Sequence, residues 1–231
     1  MEGYYAFHKF IQDFRNILRV LVACEFSGVV REAFNKKGHY ALSCDLEPTS
    51  IPGNHYQGDV LDILDEGWDL MIAHPPCTYL TVSGNRWFYH PEDKDKPVEN
   101  RRPHPRFPNR LEQRKESLEF VQQLLDAPID KIALENPVGV ISTNIRKPDQ
   151  IIQPYEFGDP FEKKTCLWLK NLPKLEPTNI VEPEPRVVFD SGKSMPKWFV
   201  DSLYNHPPKE RTKIRNTTFP GIADAIANQW G

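Results

Sequence analysis

The feature that most constrains this chain is a recurrence: four short apolar segments, each ending on a polar or reactive residue. Arg19 to Cys24 (RVLVAC) runs into Phe26-Ser27-Gly28, and Tyr40 to Cys44 ends at Asp45. Leu70 to Ala73 ends at His74-Pro75-Pro76-Cys77, and Ile132 to Leu134 ends at Glu135-Asn136-Pro137. Runs this short and rich in Val, Ile and Leu read as buried strands. Helix candidates lie between them at 28–37 and 111–125, the second with Leu118, Val121, Leu124 and Leu125 on one face. The alternation predicts an α/β fold: a Rossmann-like, doubly wound, mostly parallel sheet with right-handed crossovers. Such sheets bind ligands at the carboxyl ends of their strands, so the polar ends are predicted to share one crevice.

At 231 residues the chain fits one compact unit with a small lobe. The reading divides it into an N-terminal helix (1–18), with Tyr5, Phe7, Phe10, Phe14 and Leu18 at helical spacing, and a catalytic domain (19–170). A proline-rich irregular lobe (171–215) follows, and then a C-terminal helix returning to the catalytic domain (216–231). Residues 90–110 carry five prolines and the arginines Arg101, Arg102, Arg106 and Arg110, which predicts a loop over the sheet edge.

Composition excludes more than it assigns. The 29 basic and 32 acidic residues leave a net charge of −3, so a phosphate site has to be local. Cys24, Cys44, Cys77 and Cys166 form no CxxC pair and no metal-ligand spacing, which predicts reduced thiols, no metal and a cytoplasmic protein. The apolar runs are too short to span a bilayer, and the first nineteen residues lack the order of a signal peptide, so no membrane partner is expected.

Two residues carry the chemistry. Cys77 follows two prolines, which stiffen the turn that bears its thiol; a nearby cation or turn amides would lower its pKa and make it a nucleophile. Glu135 offers a carboxyl group for proton transfer, and burial is expected to raise its pKa towards the proton-donor form.

With these motifs in hand, the chain resembles the DNA cytosine-5 methyltransferase family, as a short, phage-type member without a full target-recognition domain. Pro75-Pro76-Cys77 and Glu135-Asn136-Pro137 resemble its catalytic pair of motifs. Phe26-Ser27-Gly28 resembles the opening motif under the methionine part of S-adenosylmethionine, the cofactor implied. Asp45 matches the residue that binds the ribose, and Asp59 the one at the adenine. Phe157-Gly158-Asp159-Pro160 with Lys163, Lys164 and Thr165 resembles the segment at the target base, and Gly221 to Ala227 the final motif. Cofactor contacts are thereby implied for Phe26, Ser27, Gly28, Asp45, Asp59, Pro75, Ile222 and Ala223. Substrate contacts are implied for Pro76, Thr78, Asn136, Pro137, Lys163 and Thr165. The chain departs from the family at Val29-Val30, where further glycine is usual, and at Thr78, Phe161, Lys163 and Thr165, which replace glutamine and arginine.

The resemblance implies methylation of cytosine at ring carbon 5, in which Cys77 adds to carbon 6 while Glu135 manages the proton at ring nitrogen 3. If phage-encoded, the protein would act in the host-cell cytoplasm. Residues 171–215 leave no room for a large sequence-reading module, so the expected substrate is DNA with little sequence selectivity or a free nucleotide such as dCMP. Arg101 and Arg102, near Trp87, Phe88 and Tyr89, are candidates to hold its phosphate, with a solvated loop over an aromatic cluster as the alternative. Two other readings stay open: a catalytically silent cofactor- or nucleotide-binding protein, and an unrelated cysteine hydrolase with His74 as base.

Overall fold

Val20, Leu21, Val22 and Ala23 are all fully buried, because this strand is covered on both faces. Val20 and Val22 pack into one apolar cluster, and Leu21 and Ala23 into a second on the opposite side. Fully burying each large apolar side chain contributes about 1.5–3 kcal/mol. Strands with this pattern belong at the centre of a two-sided parallel sheet.

The computed structural model describes residues 17–231. The helix predicted within 1–18 therefore lies outside the described residues, except for Ile17 and Leu18, which are not helical. In chain order the elements are β1 (Arg19–Ala23), α1 (Val29–Lys36), β2 (Tyr40–Asp45), β3 (His55–Gln57), β4 (Leu70–Ala73), α2 (Arg110–Leu125) and β5 (Lys131–Pro137). There follow α3 (Ile141–Asn144), β6 (Gln150–Ile152), β7 (Thr165–Lys170), β8 (Arg186–Val188), β9 (Ser194–Pro196), α4 (Lys197–Tyr204), α5 (Pro208–Asn216) and α6 (Pro220–Trp230). The seven-stranded sheet has the order β3-β2-β1-β4-β5-β7-β6. Strands β1 to β5 pair in parallel, whereas β7 pairs antiparallel with both β5 and β6. The predicted α/β, mostly parallel architecture is present.

Between β3 and β4 the chain crosses from one side of β1 to the other. The switch point therefore lies between the ends of β1 and β4, where an open sheet leaves a crevice. Helices α1 and α6 cover one face, and α2 covers the other through Val121 and Leu124. The 171–215 region is more regular than expected: β8 and β9 form a hairpin, followed by α4 and α5. Proline there starts elements instead of excluding them, since Pro208 occupies the first turn of α5.

Residues 82–100 form three short 3-10 turns, which the proline content had hidden. The buried Asp93 organises them, pairing with Arg102 Nε at 2.8 Å and Lys96 Nζ at 2.8 Å. The Arg102 fork, followed by Lys96, holds its carboxyl far below the usual carboxylate range.

Helix α6 is seated by Gly221, whose N–H donates to Asp159 Oδ2 at 2.8 Å. A Cβ at this position would overlap the Phe157 carbonyl, so the usual helical gain of alanine over glycine is reversed. Gly221→Ala is expected to destabilise the protein by about 1–3 kcal/mol. Thermal unfolding should report a midpoint about 2–4 °C lower for each kcal/mol lost.

Candidate active site

The crevice is built outward from β1. Cys24 leaves the strand in a left-handed conformation (φ 59°), and Glu25 turns back beneath the start of α1. Its buried carboxylate accepts from Val30 N at 2.7 Å, Arg31 N at 3.3 Å and Ser27 Oγ at 3.0 Å. The exposed amides of a helix start are a natural anion site, and here the chain fills that site with its own side chain. Gly28, the N-cap of α1, is also left-handed (φ 78°), and a Cβ on it would meet the buried Arg31 guanidinium. Asp45, at the end of β2, accepts from Glu47 N at 2.9 Å; burial above all pushes its carboxyl up.

Parallel β4 supplies the next wall. His74 N donates to Ala23 O at 2.9 Å, which prolongs the β1–β4 pairing by one residue before Pro75 and Pro76 end it. The Cys77 carbonyl then accepts from Leu80 N at 3.0 Å and Thr81 N at 3.1 Å, so Cys77 sits at the start of a closed turn. From β5, Asn136 reaches across: its Nδ2 donates to Pro75 O at 2.8 Å, fastening the two strand ends. Arg110 Nη2 donates to Thr78 O at 3.0 Å, and Arg114 Nε to Tyr79 O at 2.8 Å. The Arg114 guanidinium also lies 3.6 Å from the Phe88 ring centroid. These arginines and aromatics support the turn from beneath.

A cavity of about 570 Å³ opens between these walls, a size suited to small-molecule ligands. Its floor carries Cys77, Glu135 and His74, and one end carries Phe26, Asp45 and Glu47. Lys163, Lys209, Lys213 and Arg215 complete the lining, with Lys213 Nζ 5.9 Å from the Phe26 ring centroid. Lys163 Nζ donates to Arg215 O at 2.8 Å, which ties the segment before β7 to α5.

Among the cofactor candidates, Phe26, Ser27, Asp45 and Pro75 line this cavity. Asp59 does not: it is exposed and caps the following turn by accepting from Leu61 N at 3.0 Å. Ile222 and Ala223 do not line the cavity either: they are buried in the apolar core with the inner face of α6. Of the substrate candidates, Pro76, Asn136, Pro137 and Lys163 line the cavity. Thr78 is exposed outside it, and Thr165 is buried at the start of β7 with its hydroxyl on Lys163 O. Arg101 and Arg102 do not line the cavity. Arg101 donates to the carbonyls of Lys94 and Lys96, and Arg102 is taken up by Asp93 and Glu92, so neither fork is directed at the crevice.

Sequence reasoning passed over Glu25 and the lining face of α5. The signal for the latter was present: Lys209, Thr212, Lys213 and Asn216 recur at helical spacing after Pro208.

Electrostatics separate the four cysteines. Burial and neighbouring carboxylates drive Cys24 far above the ordinary thiol range; the same causes push Cys44 to about 12. Cys166 is raised by burial and by Glu135. Burial and Glu135 raise Cys77 too, but there Lys163 and a backbone hydrogen bond pull the other way, which holds for none of the others. The expectation for Glu135 is reversed. Burial does raise its pKa, but the His74 hydrogen bond and the Lys163 charge outweigh burial, and the net shift is downward. The carboxylate, with side-chain exposure of 21 %, is the resting form.

The chain matches no family model and, at a significant level, no curated protein.

Because its pKa is raised, alkylation of Cys77 by iodoacetamide should keep accelerating at a pH where an ordinary thiol has levelled off. Removing the adjacent negative charge in Glu135→Gln should lower the pKa and speed labelling several-fold at neutral pH, while Lys163→Met should slow it. Mass spectrometry of the Cys77 peptide provides the readout.

Proposed function

We propose that this protein transfers a methyl group from S-adenosylmethionine to ring carbon 5 of a cytosine, through a covalent adduct with Cys77. One observation carries the reading: Cys77 and Glu135 line one crevice, and the charges of Glu135 and Lys163 both act on the Cys77 thiol. A nucleophile, a proton carrier and a cation within mutual reach are what addition to an aromatic ring requires. The sheet is then the methyltransferase variety of the doubly wound fold.

The donor set fits the cofactor. Glu25 already fills the helix start where a dinucleotide's diphosphate would sit, which leaves an acidic, aromatic end suited to sulfonium and amino groups and to ribose hydroxyls. Phe26, Ser27, Asp45 and Pro75 would hold it there. When bound, S-adenosylmethionine supplies the methyl group that ring carbon 5 takes.

The protein's part begins with proton traffic. Glu135 starts as a carboxylate, takes the Cys77 proton as sulfur bonds to carbon 6, and passes it to ring nitrogen 3. Electron density moves to carbon 5, which becomes nucleophilic. After transfer, a base removes the carbon-5 proton, the bond to sulfur breaks, and nitrogen 3 returns its proton through Glu135. Lys163 stabilises the thiolate on the way in and on the way out.

The substrate is DNA read with little sequence selectivity, or a free cytosine nucleotide such as dCMP. Lys209 and Lys213 at the mouth favour a phosphate-bearing ligand, and the hairpin with two short helices is small for a module that reads flanking bases.

Labelled S-adenosylmethionine offered with duplex DNA, single-stranded DNA, RNA, dCMP and dCTP tests the reading directly. Transfer to a cytosine is expected, with steep loss in salt for a polymer and a mild response for a nucleotide. Cys77→Ser should lower turnover by about three orders of magnitude or more. Glu135→Gln should lower it by about 10²–10⁴ with binding retained. Normal transfer by Cys77→Ser, or no transfer to any cytosine by the unaltered protein, rejects the proposal.

A further inference from the structure

Glu135 is held from one side only. His74 Nδ1 lies 3.2 Å from Oε2, and among the described residues Oε1 makes no hydrogen bond. His74 is itself immobilised: its backbone extends the β1–β4 ladder, and its side chain is 9 % exposed. Its Nε2 is buried and has no partner among the described residues. A proton on Nε2 would strand a buried donor, which costs about 1–3 kcal/mol. A bare lone pair there costs less, so the ring proton belongs on Nδ1 and points at Oε2.

We infer that His74 is the positioning residue of Glu135, donating Nδ1–H to Oε2 so that Oε1 is turned to the ring nitrogen 3 and exocyclic amine of the substrate. The inference rests on the methyl-transfer reading for what Oε1 meets, but the His74–Glu135 contact stands apart from it.

Other charged or titratable groups act around the pair from several elements. Lys163, from the segment before β7, lies within reach of Glu135; Cys77 on the turn and Cys166 on β7 both feel the Glu135 charge. Without the His74 donor, only Lys163 opposes burial. The Glu135 pKa then rises, and a larger fraction starts protonated and unable to take the thiol proton. The acidic limb of activity should move to higher pH. Nothing of this kind follows if His74 only fills space.

Isosteric variants separate the possibilities. Asn Nδ2 occupies nearly the place of imidazole Nδ1, so His74→Asn keeps the donor to Oε2. Gln Nε2 occupies the place of imidazole Nε2, so His74→Gln loses it, as does His74→Leu. Circular dichroism and thermal unfolding identify which variants are folded. Among these, His74→Gln and His74→Leu should lose about 10–100-fold in kcat with little change in substrate KM, and their acidic limb should shift upward. His74→Asn should restore most of the turnover and the original limb.

A second readout needs no substrate: an NMR titration of the ¹³C-labelled glutamate carboxyls, with Glu135 assigned by its absence in Glu135→Gln. The Glu135 midpoint should rise in His74→Leu and return in His74→Asn. If no cytosine is methylated, the functional proposal fails while this titration still decides the role of His74. Equal midpoints in the unaltered protein, His74→Leu and His74→Asn overturn the inference, as does an unmoved acidic limb in folded His74→Leu.

Discussion

The site depends on the parallel register of β4 and β5. Ala73 lies opposite Leu134, so the next residues along the two strands, His74 and Glu135, stand side by side, with Glu135 still paired to Leu167 of β7. The Asn136 bond to Pro75 O then ties the turn after β4 to β5, which continues to Pro137 against β7. Slipping this pairing by one residue would exchange inward and outward side chains along β5 and carry Glu135 away from His74. A register set by burial of Leu70, Met71, Ile132 and Leu134 is therefore what brings an acid to a thiol.

Charge in this protein is partitioned locally. The net charge of −3 conceals a crevice whose lining carries both carboxylates and lysines. Glu25 has a different kind of role from Asp45. It is consumed by the amides of α1, and by occupying them it decides which ligands that end of the sheet can accept.

The loop between β4 and α2 is held together by its own charged groups. Asp93 engages Arg102, and Arg110 and Arg114 turn inward to carbonyls of the turn that follows Cys77, over Phe88. Arginine combines readily with carbonyls and aromatic faces, so an arginine-rich loop near a reactive residue is as apt to build a turn as to bind a phosphate. Helix α5 instead places Lys209 and Lys213 on the cavity lining.

Much of this was legible in the sequence. The four central strands were, because a strand buried on both faces needs a continuous apolar run; β2, β4 and α2 begin and end within a residue of where their patterns predict. The convergence of Cys77, Glu135 and Asp45 was legible too, since strand ends in a parallel sheet must meet at one edge. The antiparallel insertion of β7 between β5 and β6 was not, since pairing partners leave no mark on a single strand's periodicity. Ile222 and Ala223 fit a motif yet face the core, because the sequence gives a helix its stripe but not what lies against it.

The sign of the Glu135 shift shows the division most clearly. Burial was inferable from its place after Leu134, and burial by itself raises a carboxyl pKa. The opposing contributions come from His74, 61 positions earlier, and from Lys163 on a different segment. The sequence determined that Cys77, Glu135 and Asp45 would meet at the ends of the parallel strands. Tertiary structure decided their protonation, because it set the distances over which charge and hydrogen bonds compete with desolvation.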